Sequence, residues 1–236
     1  MFATRNIAGR AGCISARGLF GLVLAAALAG CSVLPAPPTR AVVFDFGPGL
    51  AQPQAVTVPA SAAGPSTGPA SVLPPVALAE VSTTGVPEGS TAVLYRLAYA
   101  NAQQLRPYGQ ARWSQPPAQL VQQALRDQMG QRRAVLLGEE GIAQLLDNGR
   151  PPTVVRVQLE EFSQVFSAPD ASHALVRLRA SIGESTTGGE KLVAQRVFVV
   201  QRPAATADAA GGTRALADAA AQAAAELEQW LEQLGR

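Results

Sequence analysis

Three consecutive runs of alternating apolar and polar residues, between Pro152 and Pro203, constrain the fold more than any other feature of the chain. In "PTVVRVQLEEFSQVFS", Val155, Val157 and Leu159 share a face opposite Arg156, Gln158 and Glu160. Phe162 breaks that parity, which predicts a bulge near Glu160-Glu161. In "HALVRLRASIGE", Val176, Leu178, Ala180 and Ile182 point one way and Arg177, Arg179 and Ser181 the other. "STTGG" then turns the chain into "KLVAQRVFVVQRP". A period of two is that of a strand. Runs this close in sequence predict an antiparallel meander with one wet face. The chain ends in "TRALADAAAQAAAELEQWLEQLGR", where Leu216, Ala220, Ala223, Leu227, Trp230, Leu231 and Leu234 recur at three- and four-residue steps. This is a long amphipathic helix. Its alanines allow close packing on the sheet, and Trp230 reads as a core anchor.

Upstream, "RAVVFDFGPG" reads as a strand with Val43 and Asp45 on one face and Val42, Phe44 and Phe46 on the other. Gly47-Pro48-Gly49 stops it. Residues 51–73 are rich in Ala, Pro, Ser, Gly and Gln and carry no aromatic or charged side chain, so they read as a flexible insertion. "PVALAEVS" (75–82) and "TAVLYRLAYA" (91–100) are expected strands, separated by the breaker-rich "TTGVPEGS". Ser114 is the expected N-cap of a helix with Pro116 and Pro117 in its first turn. Leu120, Val121, Ala124, Leu125 and Met129 line one side of it, and Gly130 ends it. "RAVLLG" reads as a short strand and "EEGIAQLLDNGR" as one or two helical turns. There is no regular strand–helix–strand alternation, so a doubly wound fold is disfavoured. The expectation is an α+β domain: a mainly antiparallel sheet packed against two principal helices, after a signal peptide and a flexible tether.

The N-terminus sets the address. Its first seventeen residues hold Arg5, Arg10 and Arg17 and no acid, and an apolar run from Gly18 to Ala29 follows. That run is too short for a bilayer core, which takes about 20 residues. It fits a secretory signal. Leu28-Ala29-Gly30 precede Cys31, which resembles the lipobox of bacterial lipoproteins. The resemblance implies cleavage between Gly30 and Cys31, a diacylglycerol on the Cys31 sulfur and an N-acyl chain on its amine. Two or more acyl chains give stable anchoring without a span. Ser32 is not the acidic residue that retains such proteins at the inner membrane in enteric bacteria, so the periplasmic face of the outer membrane is expected. The chain thus divides into a signal peptide (1–30), a Pro-rich tether (31–40) and one domain (41–236).

Composition narrows the partners. The chain has 19 Lys+Arg and 17 Asp+Glu; without the three signal arginines, 16 face 17, a mature charge of −1. No basic tract remains for nucleic acid. The two cysteines, Cys13 and Cys31, leave no pair for a disulfide in the mature chain. Catalysis finds no foothold. His173 is the lone histidine, at an expected turn after "APDAS", and no G-x-S-x-G or G-x-x-x-x-G-K-[ST] sequence is present. Zinc needs a Cys/His cluster that the chain lacks. Glu160 and Glu161 are neighbours on a strand and point to opposite faces. No enzyme activity, metal or cofactor is expected beyond the acyl chains on Cys31.

"YRLAYANAQQLRPYGQARWSQPPAQLVQQAL" resembles the auxiliary lipoprotein component of ABC-type transport systems, the PqiC-like family. The matching pieces are a strand with Tyr95-Arg96, Tyr108 five residues before Trp113, and prolines opening a helix. "FDFGP", the strand ending at Phe162, the hairpin after it and the final "QWL" helix are similar too, so the resemblance covers most of residues 41–234. It implies a non-catalytic docking or gating role at the outer membrane in MCE-type lipid transport. The implied partners are a periplasmic MCE-domain protein, an inner-membrane permease and an ATPase. Arg96, Tyr108, Arg112 and Trp113 are the candidate partner contacts, with the wet-face Arg177 and Arg179 as further polar groups. For Tyr108 and Trp113, packing in the domain core is the favoured reading over partner contact. The alternative from another class is an envelope-assembly lipoprotein that binds an outer-membrane barrel or a peptidoglycan-associated partner. A periplasmic hydrolase recruiting His173 is the third.

Overall fold

The computed structural model describes residues 40–48, 73–143 and 149–236. The expected signal peptide, nearly all of the tether and almost all of the 51–73 insertion lie outside these residues. In chain order the described elements are β1 (Val42–Phe44), β2 (Val76–Leu78), β3 (Ser82–Thr83), β4 (Ala92–Leu97), α1 (Ala98–Asn101), β5 (Ala102–Trp113), α2 (Pro117–Met129), β6 (Val135–Leu137), α3 (Gly138–Ala143), β7 (Thr153–Ala168), β8 (Ala171–Thr186), β9 (Gly189–Pro203) and α4 (Ala209–Gln233).

The three alternating runs are β7, β8 and β9, and they form the expected meander. Leu159 pairs with Leu178 and Glu161 with Arg177, so Glu160 is the extra residue of a bulge. That bulge returns Phe162 to the face of Val155, Val157 and Leu159, as the parity break predicts. β7 organises the rest of the sheet. One edge pairs β8; along the other lie, in turn, β2 at Thr153–Val155, β3 at Gln158–Leu159 and β4 at Gln164–Phe166, all parallel. β6 extends the sheet beyond β2, and β5 and β1 extend it beyond β4. The antiparallel ladders β4–β5, β7–β8 and β8–β9 hold most of the paired residues, so the α+β, mainly antiparallel expectation holds. β2 lies between β6 and β7 with all three residues buried, the apolar run expected of a strand without a wet face.

Helix α4 packs across β7, β8 and β9, and against α2. Ala215, Ala219, Ala220, Ala223 and Ala224 are all buried, which brings the helix close to its neighbours. Leu216, Leu227 and Leu231 are fully buried, and each contributes about 1.5–3 kcal/mol by leaving water. Trp230 meets Phe198 edge-on at 5.7 Å. The helix starts at Ala209, four residues before the expected Thr213. Asp208 caps it, its Oδ1 accepting from the Gly211 N–H at 2.8 Å and from the Thr206 hydroxyl at 2.8 Å. These bonds, the Gly211 amide first, hold the Asp208 carboxyl below its usual value.

Several local expectations are corrected. The strand expected over 75–82 is split into β2 and β3. The strand expected through Ala100 stops at Leu97, where Ala98 and Ala100 favour a helical turn and the Asn101 side chain accepts from the Gln103 N–H at 3.0 Å. A 12-residue strand, β5, then occupies a stretch in which Pro107 and Gly109 read as breakers. β1 covers only Ala111–Trp113, so most of β5 is an edge among the described residues, where proline is tolerated. Ser114 caps nothing: its N–H donates to the Phe44 carbonyl at 2.7 Å, and Pro116 precedes α2. Pro117 does open the helix and Gly130 does close it.

Candidate functional site

The candidate partner contacts lie on the β4–β5 hairpin and where it joins β7. Between the pairs Ala92–Arg112 and Leu94–Pro107 the register shifts, so four residues of β5, Tyr108 to Ala111, oppose Val93 alone. Such a bulge re-aims side chains, and Tyr108 reaches inward. Its hydroxyl donates to Gln164 Oε1 at 2.8 Å, and Gln164 Nε2 donates to Ser172 Oγ at 2.7 Å. Gln164 is fully buried at a face of α4 that only glycine permits: a Cβ on Gly212 would stand 1.9 Å from Gln164 Oε1. The Tyr108 ring packs tilted against Tyr95 at 4.6 Å, and Tyr95 meets Phe166 edge-on at 5.8 Å. Burial, then the neighbouring Tyr95 and Asp208, pushes the Tyr108 phenol up to about 12.

The arginines are held within the domain. Arg96 grips Glu161 with Nε at 3.2 Å and Nη2 at 2.8 Å, and its Nη1 donates to the carbonyls of Ala102 and Gln103. Ser163 Oγ donates to the same carboxylate at 2.6 Å. One guanidinium thus ties β4, β5 and β7 together. Arg112 Nη1 donates to the carbonyls of Tyr108 and Ala111, both at 2.7 Å, and so closes the bulge. Trp113 is 2% exposed, packed by Phe46 at 5.7 Å and Phe162 at 5.6 Å. Its ring is enclosed and presents no face to a partner. Of the four candidates, then, three stabilise the hairpin and one packs the core. Cys31 and Gly30 lie outside the described residues.

The wet face of the meander is built differently. Arg177 and Arg179 both donate to Glu160, each at 2.6 Å. The bulge at Glu160 supplies that shared carboxylate, and the hydrogen bond from Arg177 leads in holding it below its usual range. Arg156 grips Glu190 with two bonds, at 3.1 and 2.6 Å, which lowers that carboxyl as well. Val199, paired with Arg177, is 51% exposed beside them. On this face lies a groove of about 330 Å³ whose lining includes Glu80, Arg156, Arg179, Ser181 and Gln195. A second groove, of about 600 Å³, lies between the turn after β3 and α2 and shares Glu80 and Ser82 in its lining. His173 sits in β8 opposite Val165, not in the turn. No cluster of three His, Cys, Asp or Glu side chains suited to a metal occurs among the described residues.

One internal feature escaped sequence reasoning. Arg133 is fully buried and donates to Glu228 Oε1 at 3.0 Å, while Arg132 pairs with Glu232 one turn further along α4. The signal was there: Glu228 falls four residues after Ala224 and three before Leu231, on the buried stripe of the helix.

A family model described as the ABC-type transport auxiliary lipoprotein component matches residues 51–228. Two solved structures have a similar fold. Protein XCC0632 from Xanthomonas campestris superposes with a TM-score of 0.56 at 20% identity, over 70% of this chain and 88% of that one. An uncharacterized protein superposes with a TM-score of 0.52 at 12% identity, over 82% of this chain and 99% of that one. No curated protein matches the chain in sequence.

Proposed function

The chain belongs to the family of ABC-type transport auxiliary lipoprotein components, and on that premise we propose that it is the non-catalytic docking component of an MCE-type lipid transport system. It stands on the periplasmic face of the outer membrane, held by a diacylglycerol and an N-acyl chain on Cys31. Its partners are a periplasmic MCE-domain protein and, through it, an inner-membrane permease and ATPase.

The observation that carries the reading is the family match over residues 51–228. The N-terminal pattern supports the anchor: three arginines, a short apolar run, then Leu28-Ala29-Gly30-Cys31. No helix among the described residues is long and apolar enough to cross a membrane. The geometry favours binding. Polar groups on the wet face are satisfied by one another in fixed cross-strand pairs, which gives a pre-ordered charged surface with an exposed valine beside it. A pre-ordered surface loses little conformational entropy when it binds.

Photo-crosslinking in whole cells from a probe in place of Gln201, exposed on β9, followed by identification of the adduct, tests this. An MCE-domain protein is the expected product. Unrelated partners alone would refute the reading, and an outer-membrane barrel alone would favour the envelope-assembly alternative.

A further inference from the structure

The β4–β5 hairpin ends in an unusual stretch. From Leu97 to Leu105 the sequence "LAYANAQQL" carries no charge. Residues 98–104 are all exposed. Tyr99, 49% exposed, is the large side chain among them, flanked by Ala98, Ala100 and Ala102, which are too small to cover it. Arg96, next to last in β4, and Arg106, the fifth residue of β5, bracket the stretch. Arg96 is occupied by Glu161, and Arg106 Nη2 donates to Gln104 Oε1 at 2.5 Å.

Topology gives this tip a direction. β7 runs parallel to β4, so its turn at Asp170 lies at the same end of the sheet, and so does the end of β9 at Arg202 and Pro203. The basic side chains there, Arg106 and Arg202, stand with the acids Asp170 and Asp208, and Asp208 is engaged in capping α4. The opposite end carries the Thr187-Gly188 turn with Glu184, Glu190 and Lys191.

β1 is parallel to β5, with Val42 level with Ala111. Traced backwards from Val42, the chain therefore heads towards the tip. Eight strand steps separate Gln110 from Ala102, at most about 26 Å because the Tyr108–Ala111 bulge shortens the path. The nine steps from Cys31 to Arg40 extend to at most about 32 Å. A tether of that contour length is long enough for the acyl chains and the tip to meet one lipid surface.

We propose that the uncharged β4–β5 tip, residues 98–104 with Tyr99, is a second contact with the lipid surface, resting among the headgroups beside the Cys31 acyl chains. The inference rests on the lipoprotein reading above. Tyrosine suits that layer, since its ring is apolar and its hydroxyl remains wet. Arg106, beside the tip, is placed to meet a headgroup phosphate, while Arg96 stays on Glu161. The contact need not be strong. A short tether makes it intramolecular, at an effective concentration in the millimolar range, so even a weak contact orients the domain. The partner-binding face is then held at a fixed angle to the bilayer.

The experiment uses the lipidated protein in vesicles of phosphatidylethanolamine and phosphatidylglycerol. With Cys13 removed in the signal and Cys31 acylated, Ala100→Cys supplies the one free thiol for an environment-sensitive fluorophore, and Thr187→Cys places the same probe at the far end. Flotation reports the anchor separately. The expected result is a blue-shifted Ala100 probe, quenched by headgroup-labelled lipid, and a Thr187 probe that stays aqueous. Adding Tyr99→Asp to the Ala100→Cys protein returns its probe to water. Flotation with both probes aqueous overturns the tip contact and leaves the anchor standing. Failure to float overturns the anchor and the inference together. An Ala100 probe that dries only when an MCE-domain protein is added makes the tip a partner surface and overturns the proposal.

Discussion

Arg133→Met removes the guanidinium of the buried Arg133–Glu228 pair while keeping much of its apolar stem. In the native domain Arg133 is fully buried and the Glu228 side chain is 4% exposed. They share one good bond, at 3.0 Å, and Arg133 Nη1 adds a weak one to the Pro74 carbonyl at 3.4 Å. Arg133 Nη2 and Glu228 Oε2 find no partner among the described residues. The pair is therefore poorly satisfied, and burial raises the Glu228 carboxyl against the pull of Arg133. A carboxyl raised by folding adds stability below its unfolded value of 4.5, and that contribution is lost as pH rises through the folded value. Without Arg133 the raising is greater. At neutral pH, breaking such a pair by removing one partner costs about 3–5 kcal/mol. In a domain of this size that lowers Tm by about 6–20 °C. At acid pH Glu228 takes up a proton and the deficit shrinks. The double variant Arg133→Met/Glu228→Leu leaves no buried charge and is expected at or above native stability, by up to about 4 kcal/mol. Urea unfolding of the Cys31→Ser mature chain, followed by the buried Trp113 and Trp230, measures all three proteins. A single variant within about 1 kcal/mol of native at neutral pH, or a double variant less stable than the single, refutes the reasoning.

Three further outcomes are expected. Gly212→Ala drives Gln164 from a fully buried site where its amide holds Tyr108 and Ser172; calorimetry should show a loss of about 2–4 kcal/mol, partly restored by adding Gln164→Ala. Tyr108→Phe leaves Gln164 short of a donor and lowers stability by about 1–2 kcal/mol in urea, while alkaline absorbance titration loses the tyrosine that ionises at about 12. Glu160, Glu190 and Asp208 are lowered by their donors, so their contributions are present above their ordinary values and fade as pH falls below about 5. Glu160→Gln should flatten that acid-side fall in the urea midpoint, and an unchanged slope counts against the shared Arg177–Glu160–Arg179 pairing.

The meander was legible because a half-buried strand writes its orientation into every second residue. Phe162 alone was enough to place the bulge, since a parity change in an otherwise strict alternation has few other causes. The stripe of α4 was legible for the same reason at a period of 3.6. The missed elements obey tertiary context. β5 contains Pro107 and Gly109, which local propensity reads as a stop, yet an edge strand that needs an irregular register accommodates both. Gly211 and Gly212 weaken a helix locally, but Thr206 and Gln164 press so close that a Cβ at either position would clash, so the helix runs through them. Of the candidate contacts, Arg96 and Arg112 could be recognised as arginines but not as internal clamps. Their partners, Glu161 and the carbonyls of the bulge, are defined only by the strand register.

The placement of β7 has a consequence for the order of assembly. Its partnership with β8 and β9 closes through short turns, whereas β2, β3 and β4 reach the same strand from about 70 or more residues upstream. Loop-closure entropy favours the local pairings first. The meander with α4 is therefore expected to form the nucleus, with the three parallel strands docking late on its free edge. Truncating Val176 or Leu178 should slow folding, and truncating Val76 should chiefly speed unfolding in stopped-flow urea jumps.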